Sequence, residues 1–386
     1  MKKIMVLILV FVMVILLGFN NKPKLKEKDD EELRAIFISY IELSKYVKNQ
    51  DISTSKRNIE AMINNISILG FNTVIVQIRS FADAIYESTI YPWSSTVAKT
   101  EGENPGYDIL DYFIKIAKEK NILLYAWINP YRVRSSGNVV SEKSPAFKYL
   151  GTDFLYEDEG LYFNPSKQEV EDLIVDGVLE VINNYLVDGI LFDDYFYPNQ
   201  DLDYLDYLNY LENNDYISFD DYHLMIINKM VKRVHDVCRE KKVLFGISPD
   251  GNIDNNYKKV FADVKNWLSS DQYVDFIMPQ VYYGFFNETQ AFKNVIDSWD
   301  SLIVNSDIKL YVALGFYKVG TLDKYAKSGE MEWINNSNVI MREIILARNL
   351  KYYKGFSLFR YDYLFNDDLK TATTMLEIEN MKKILN

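Results

Sequence analysis

The feature that most constrains this chain is a rhythm. Short, continuous apolar runs rich in β-branched residues alternate with helical patterns eight times between Arg34 and the C-terminus. The runs are 35–41, 73–78, 122–127, 189–192, 243–247, 276–281, 310–314 and 355–359. They lack the strict apolar–polar alternation of half-exposed strands, so each reads as a parallel strand covered on both faces. Helical patterns fill the intervals at 55–69, 108–120, 167–185, 220–241, 257–268, 289–304 and 338–349, with a last one at the C-terminus. Eight strand–helix units over about 350 residues predict an α/β fold, a (β/α)8 TIM barrel with long βα loops. Long insertions are expected after the second strand and from about Arg132 to Asn164. The alternative is a doubly wound open sheet, but no G-x-G-x-x-G follows the first strand and no phosphate-cradling loop is present.

Ahead of the barrel, Lys2 and Lys3 precede an unbroken apolar run from Ile4 to Leu17. This is the pattern of an export signal, and the run is shorter than the roughly 17–25 residues of a membrane span. No A-x-A-like cleavage site follows. Residues 1–19 are therefore expected to be a signal peptide or an N-terminal membrane anchor, 20–32 a polar tether, and 33–386 the barrel. Either form delivers the body to the extracellular face or the cell envelope, secreted or membrane-tethered.

The charge balance excludes some functions. A net charge of −12 and a pI near 4.9 argue against nucleic acid, whose backbone is bound through Lys and Arg. Cys238 is the only cysteine, and His223 and His235 are the only histidines. No disulfide framework or thiolate zinc site can be built from them, so neither a metal nor a cofactor is expected. Both histidines fall in one polar helical stretch and are expected at the surface. The aromatic share of 15% is compatible with stacking on sugar rings, although abundant Asn, Lys and Ile favour an AT-rich genome as its cause.

Active sites of such barrels lie at the C-terminal strand ends. Polar residues collect there: Glu42, Gln77, Arg79, Asp83, Asn129, Tyr131, Arg132, Asp193, Asp194, Tyr195, Ser248, Asp250, Gln280, Tyr282, Lys318 and Arg360. The chemistry that fits is glycoside cleavage, which needs one carboxyl to protonate the leaving oxygen and another to attack or to stabilise the cation. Asp193 is the leading carboxylate. Asp193 and Asp194 would point to opposite faces of a strand, so both can serve only if the strand has ended. Asp194 and Asp250 are the alternatives for its partner, with Glu42 a further candidate and Asp83 a weaker one. A turn role for Asp250 before Gly251 is an equal reading. Arg79, Asp83, Asn129, Tyr131, Arg132, Tyr195, Gln280, Tyr282, Lys318 and Arg360 are the candidate substrate-binding residues. Trp127 and Trp93 could stack on a sugar, but packing is the commoner role of a Trp in an inner strand.

Several motifs resemble a known family. They are Gln77-Ile-Arg79, Asp83-Ala-Ile-Tyr86, Tyr91-Pro-Trp-Ser94, Asn104-Pro-Gly-Tyr-Asp108, Ala126-Trp-Ile-Asn-Pro-Tyr-Arg132, Tyr162-Phe-Asn-Pro165, Val187-Asp-Gly-Ile-Leu-Phe-Asp-Asp-Tyr-Phe-Tyr-Pro198, Gly246-Ile-Ser-Pro249, Ile277-Met-Pro-Gln280 and Tyr317-Lys-Val-Gly320. Together they resemble the glycoside-hydrolase-like family 10 of bacterial envelope proteins across roughly residues 34–365. The resemblance implies a TIM-barrel catalytic domain that hydrolyses glycan strands, with some members similar to hydrolases of peptidoglycan stripped of its stem peptides. Two departures from related barrels stand out. Strand 7 ends in Leu314-Gly-Phe-Tyr-Lys318, without the nucleophilic carboxylate of the large retaining clan. Against the D-G-x-D-x-D-x-E pattern of chitinase-type hydrolases, Asp193 matches the last Asp while Tyr195 stands at the catalytic Glu. Tyr282 resembles the tyrosine that supports that chemistry. The reading is an exported glycosidase acting on an amino-sugar polymer of the cell wall. A non-catalytic carbohydrate-binding or scaffold protein is the alternative, and a metal-dependent deacetylase is disfavoured by the shortage of His.

Overall fold

The computed structural model describes residues 31–137 and 139–385. The expected signal or anchor, and all but the end of the tether, lie outside them. Among the described residues no helix is long and apolar enough to cross a membrane.

Strand β1 (Leu33–Ile38) pairs in parallel with β2 (Thr73–Arg79), β2 with β3 (Leu123–Ile128), and β3 with β4 (Gly189–Phe192). Strand β4 pairs with β5 (Leu244–Ile247), and β5 with the first half of β6 (Phe276–Ile277). Strand β7 (Lys309–Leu314) pairs with both halves of β6, the second being Gln280–Val281. Strand β8 (Tyr353–Leu358) joins β7 to β1 and closes the ring. This is the (β/α)8 barrel that the rhythm predicts. The break in β6 falls at Pro279, which has no N–H for the ladder. The insertion after β3 folds as a small antiparallel sheet of Arg132–Ser135, Gly160–Phe163 and Leu155–Glu157.

The strands are continuously apolar because both faces are buried. Ile36, Ile38, Val74, Val76, Leu124, Ala126 and Ile190 face the helices. Ala35, Phe37, Ile75, Tyr125, Trp127, Leu191, Phe276 and Tyr311 fill the barrel. Inside, Tyr125, Phe276 and Tyr311 form one aromatic layer, with ring centroids 5.5 and 5.2 Å apart. Nearer the C-terminal mouth, Phe37, Trp127 and Phe359 form a second, at 5.4, 5.6 and 6.4 Å. Such stacked layers make a packed core rather than a pore.

Two readings are corrected. The helix expected over 257–268 is two helices, Ile253–Val260 and Val264–Trp267, because Phe261 takes a left-handed φ of 52° between them. His223 and His235 are buried rather than superficial, on the inner face of helix Phe219–Lys241. Carboxylates meet them there, Asp203 at 2.9 Å from His223 and Asp275 at 3.4 Å from His235, so each buried ring keeps a polar partner.

Room for the lower aromatic layer comes from glycine. A Cβ added at Gly246 in β5 would lie 2.2 Å from Cε2 of Phe276. Overpacking of this kind costs about 1–3 kcal/mol. Gly246→Ala is therefore expected to lower the urea unfolding free energy by that amount, whereas Gly246→Ala combined with Phe276→Leu recovers part of it. An unchanged midpoint in the single variant would show that the layer yields freely.

Candidate active site

Strand β4 ends at Phe192, so Asp193 and Asp194 are no longer bound to opposite faces. Both line one cavity of about 320 Å³ at the barrel mouth, with Phe37, Ser39, Tyr40, Ile41, Gln77, Trp127, Arg132, Tyr195, Ser248, Gln280, Tyr282 and Phe359. The upper aromatic layer is its floor.

Asp193 is fixed by direction. Trp127 Nε1, which can only donate, lies 2.9 Å from Oδ2 of Asp193, and Asn129 Nδ2 lies 2.6 Å from the same oxygen. Oδ1 of Asn129 accepts from Nε2 of Gln77 at 2.6 Å, and Oε1 of Gln77 accepts from the Tyr40 N–H at 3.0 Å. Oδ1 of Asp193 has only a long 3.5 Å contact from the Tyr195 N–H, which leaves that oxygen open to the cavity. Beside it, Gln280 lies next to Asp194 and lowers its proton affinity, while its Nε2 donates to the Ser248 carbonyl at 3.0 Å.

Of the polar residues expected at the strand ends, Gln77, Arg132, Asp193, Asp194, Tyr195, Ser248, Gln280 and Tyr282 line the cavity. The others do not. Arg79 has the inward parity, but the β2–β3 register shifts between Gln77 and Arg79. Its guanidinium instead lies 4.3 Å from the Tyr91 ring, against Gly177 on the helical layer. Asp83 is buried in the same outer cluster, next to Ser94, and burial pushes it up to about 6. Tyr131 belongs to the core between strands and helices. Lys318 is paired with Asp323 at 2.7 Å. Arg360 is paired with Glu42, which also accepts from the Ser39 N–H at 2.9 Å in a capping box and is thereby fully engaged. Asp250 serves the turn before helix Ile253–Val260, accepting from the Asn252 N–H at 2.8 Å and Asn255 Nδ2 at 2.8 Å. Asn129 does not line the cavity; it positions Asp193.

Two roles were not assigned from the sequence, that of Gln77 in orienting Asn129 and that of Trp127 in donating to Asp193. Parity could have found them. Gln77 stands two residues past inward Ile75, and Trp127 two past inward Tyr125. Among the described residues no group of three or more His, Cys, Asp or Glu side chains converges as a metal site.

Burial, and then the charge of Asp194, push Asp193 up to about 7. Burial also pushes Asp194 up to about 6, with Asp250 adding to it. Arg132 pulls both down. Between these two values the pair carries one proton, a state in which one carboxyl can donate while the other is charged. Folding thus makes Asp193 hold a proton that the unfolded chain releases near pH 4. The folded state binds the extra proton between about pH 4 and 7, so this group's contribution to stability falls as pH rises through that window. Asp193→Asn keeps an acceptor for Trp127 and Asn129 and removes the buried charge. It is expected to be more stable than the wild type at pH 8 by more than about 1 kcal/mol, with the difference gone at pH 4, as read by denaturant unfolding at both pH values. Equal destabilisation at both would contradict this account.

The sequence profile described as glycosyl hydrolase-like 10 matches residues 32–333. Glycosyl hydrolase YngK of Bacillus subtilis (strain 168) is 29% identical over 354 residues, covering 85% of this chain and 68% of that protein. Glycosyl hydrolase DigH of Escherichia coli (strain K12) is 28% identical over 400 residues, covering 93% and 89%. Among solved structures, the PgaB (BpsB) glycoside hydrolase domain of Bordetella bronchiseptica superposes with a TM-score of 0.63 at 10% identity, over 92% of this chain and 99% of that one. The endo-1,4-β-mannanase of Rhizomucor miehei gives 0.54 at 11%, over 92% and 95%. These last two likenesses concern the fold. The profile match spans most of the barrel, and the chain belongs to the glycosyl hydrolase-like 10 family, an enzyme of the glycosidase class.

Proposed function

We propose that this glycosidase is exported and cleaves an amino-sugar polymer, the glycan strands of peptidoglycan, with Asp193 and Asp194 as its carboxyl pair. The observation that carries the reading is the opening of both carboxyls onto one cavity floored by Phe37, Trp127 and Phe359. Asp193 is the acid. It has the higher value of the two, its Oδ2 is saturated by two donors, and its Oδ1 is left to deliver the proton. Asp194 is the charged partner that stabilises the cation developing on the sugar. Asp250 drops out as the second carboxyl because its oxygens are engaged in a turn outside the cavity. The Lys2–Leu17 segment supports export, and the motif resemblance to hydrolases of stripped strands supports the substrate. The non-catalytic alternative rested on the missing strand-7 carboxylate, and a pair supplied by the β4 end removes the need for one.

Incubation with purified glycan strands is expected to release new reducing ends. Asp193→Asn and Asp194→Asn should each lower kcat by about 10²- to 10⁴-fold. The wild-type kcat/KM profile, which reports the free enzyme, should be bell-shaped, with limbs near the values of about 6 and about 7. A wild type that yields no reducing ends from any amino-sugar polymer would refute the substrate assignment. Full activity in Asp193→Asn would refute the acid assignment.

A further inference from the structure

Four cations stand at the strand ends, and the fold disposes of three. Arg79 is turned out against Tyr91, Lys318 is paired with Asp323, and Arg360 is paired with Glu42. Arg132 alone of the four lines the cavity. Its guanidinium is clamped between two rings, 4.7 Å from the centroid of Phe81 and 4.8 Å from that of Tyr195. Tyr40 braces Phe81 in turn, at 5.8 Å between centroids. The Nε of Arg132 is buried without a hydrogen-bond partner, and among the described residues Arg132 has no ion-pair partner. Asp193 and Asp194 feel its charge but do not bond it. A guanidinium held between aromatic faces keeps its planar fork in one pose, with its donors unspent.

We propose that Arg132 reads a carboxylate carried on the sugar ring bound in the cavity, so that the enzyme selects acid-bearing units of the glycan. This rests on the glycan-strand reading above and names the feature of the strand that is recognised. The fork of Arg matches a planar carboxylate through two parallel hydrogen bonds. A dianionic phosphate would face the Asp193–Asp194 pair at greater repulsion than a monoanion. The overall charge of −12 repels any acidic polymer at long range, so recognition must come from a local cation. The free lactyl ether acid of a muramic residue has this chemistry, as does a uronic acid. An acid capped as an amide offers no charge.

The test uses the full chain with wild-type, Arg132→Gln and Arg132→Lys side chains. One substrate is a set of glycan strands with free lactyl acids, the other the same strands with those acids converted to simple amides. The wild type is expected to show kcat/KM on the order of 10- to 100-fold higher for the free acids, the worth of a charge-assisted pair. Arg132→Gln should bring that ratio close to one, and Arg132→Lys should keep part of it. Removing the charge also shifts the Asp193–Asp194 titration of the free enzyme, a change that both substrates meet and that cancels in the kcat/KM ratio. A ratio unaltered by Arg132→Gln, or no wild-type preference, would overturn the proposal. Calorimetry with N-acetylmuramic acid, glucuronic acid and N-acetylglucosamine separates this proposal from the glycan-strand reading, because it needs no turnover. Tighter binding of either acid than of the neutral sugar, lost in Arg132→Gln, supports the assignment; equal binding of all three rejects it. If muramic acid alone binds tightly, the lactyl ether is the source of the carboxylate.

Discussion

The candidate site hangs from one backbone N–H. The amide of Tyr40 can only donate, so Oε1 of Gln77 must face it, and the Gln77 NH₂ must then face Oδ1 of Asn129. That leaves the Asn129 NH₂ for Asp193. Reversing any amide would bury an unmatched donor or acceptor, at about 1–3 kcal/mol each. The chain of bonds runs from the end of β1 through β2 and β3 to the end of β4. Strand register is thereby converted into the direction of one carboxyl, and Trp127 makes the second, equally irreversible donation.

The same residues create the electrostatics. Phe37, Trp127 and Phe359 close the barrel under the cavity and exclude water from Asp193, which is only 3% exposed. That exclusion is the first cause of its raised value, ahead of its charged neighbour. Core packing and proton affinity therefore cannot be tuned separately. A smaller side chain in the upper layer would loosen the barrel and rehydrate the acid together.

The strands were legible because burial on both faces leaves a continuous apolar run, which is hard to mistake when it recurs eight times. The centre of the site was legible for a related reason. A charged pair directly after such a run must sit at the rim. What was hidden depended on distant partners or on a local irregularity. One register shift sends Arg79 outward, although its parity points in. Glu42 and Arg360 are separated by 318 positions, and only the closing of β8 onto β1 brings them together. His223 passed for a surface residue because Asp203, its partner, precedes the helix in a segment without clear periodicity. The turn role of Asp250 was readable from Asp-Gly-Asn, and its carboxylate accepts hydrogen bonds within that turn.

The rim's charges are mostly spent on architecture: Glu42 with Arg360, and Lys318 with Asp323. Those pairs tie loops to the barrel and contribute no net charge to the mouth. The field in the cavity is then set chiefly by the Asp193–Asp194 pair, the nearby Asp250 and Arg132. Arg132 opposes the effect of burial on both carboxyls, holding them lower than they would otherwise stand. A carboxylate from the substrate that paired with Arg132 would cancel that hold. The two aspartates would then titrate higher, and Asp193 would keep its proton further into the neutral range. Occupancy of the cavity by an acidic sugar would thus keep protonated Asp193, the acid proposed for the leaving oxygen, whereas a neutral sugar would leave it partly ionised. In this arrangement binding and proton loading are the same electrostatic event, driven by an arginine that has no ion-pair partner among the described residues.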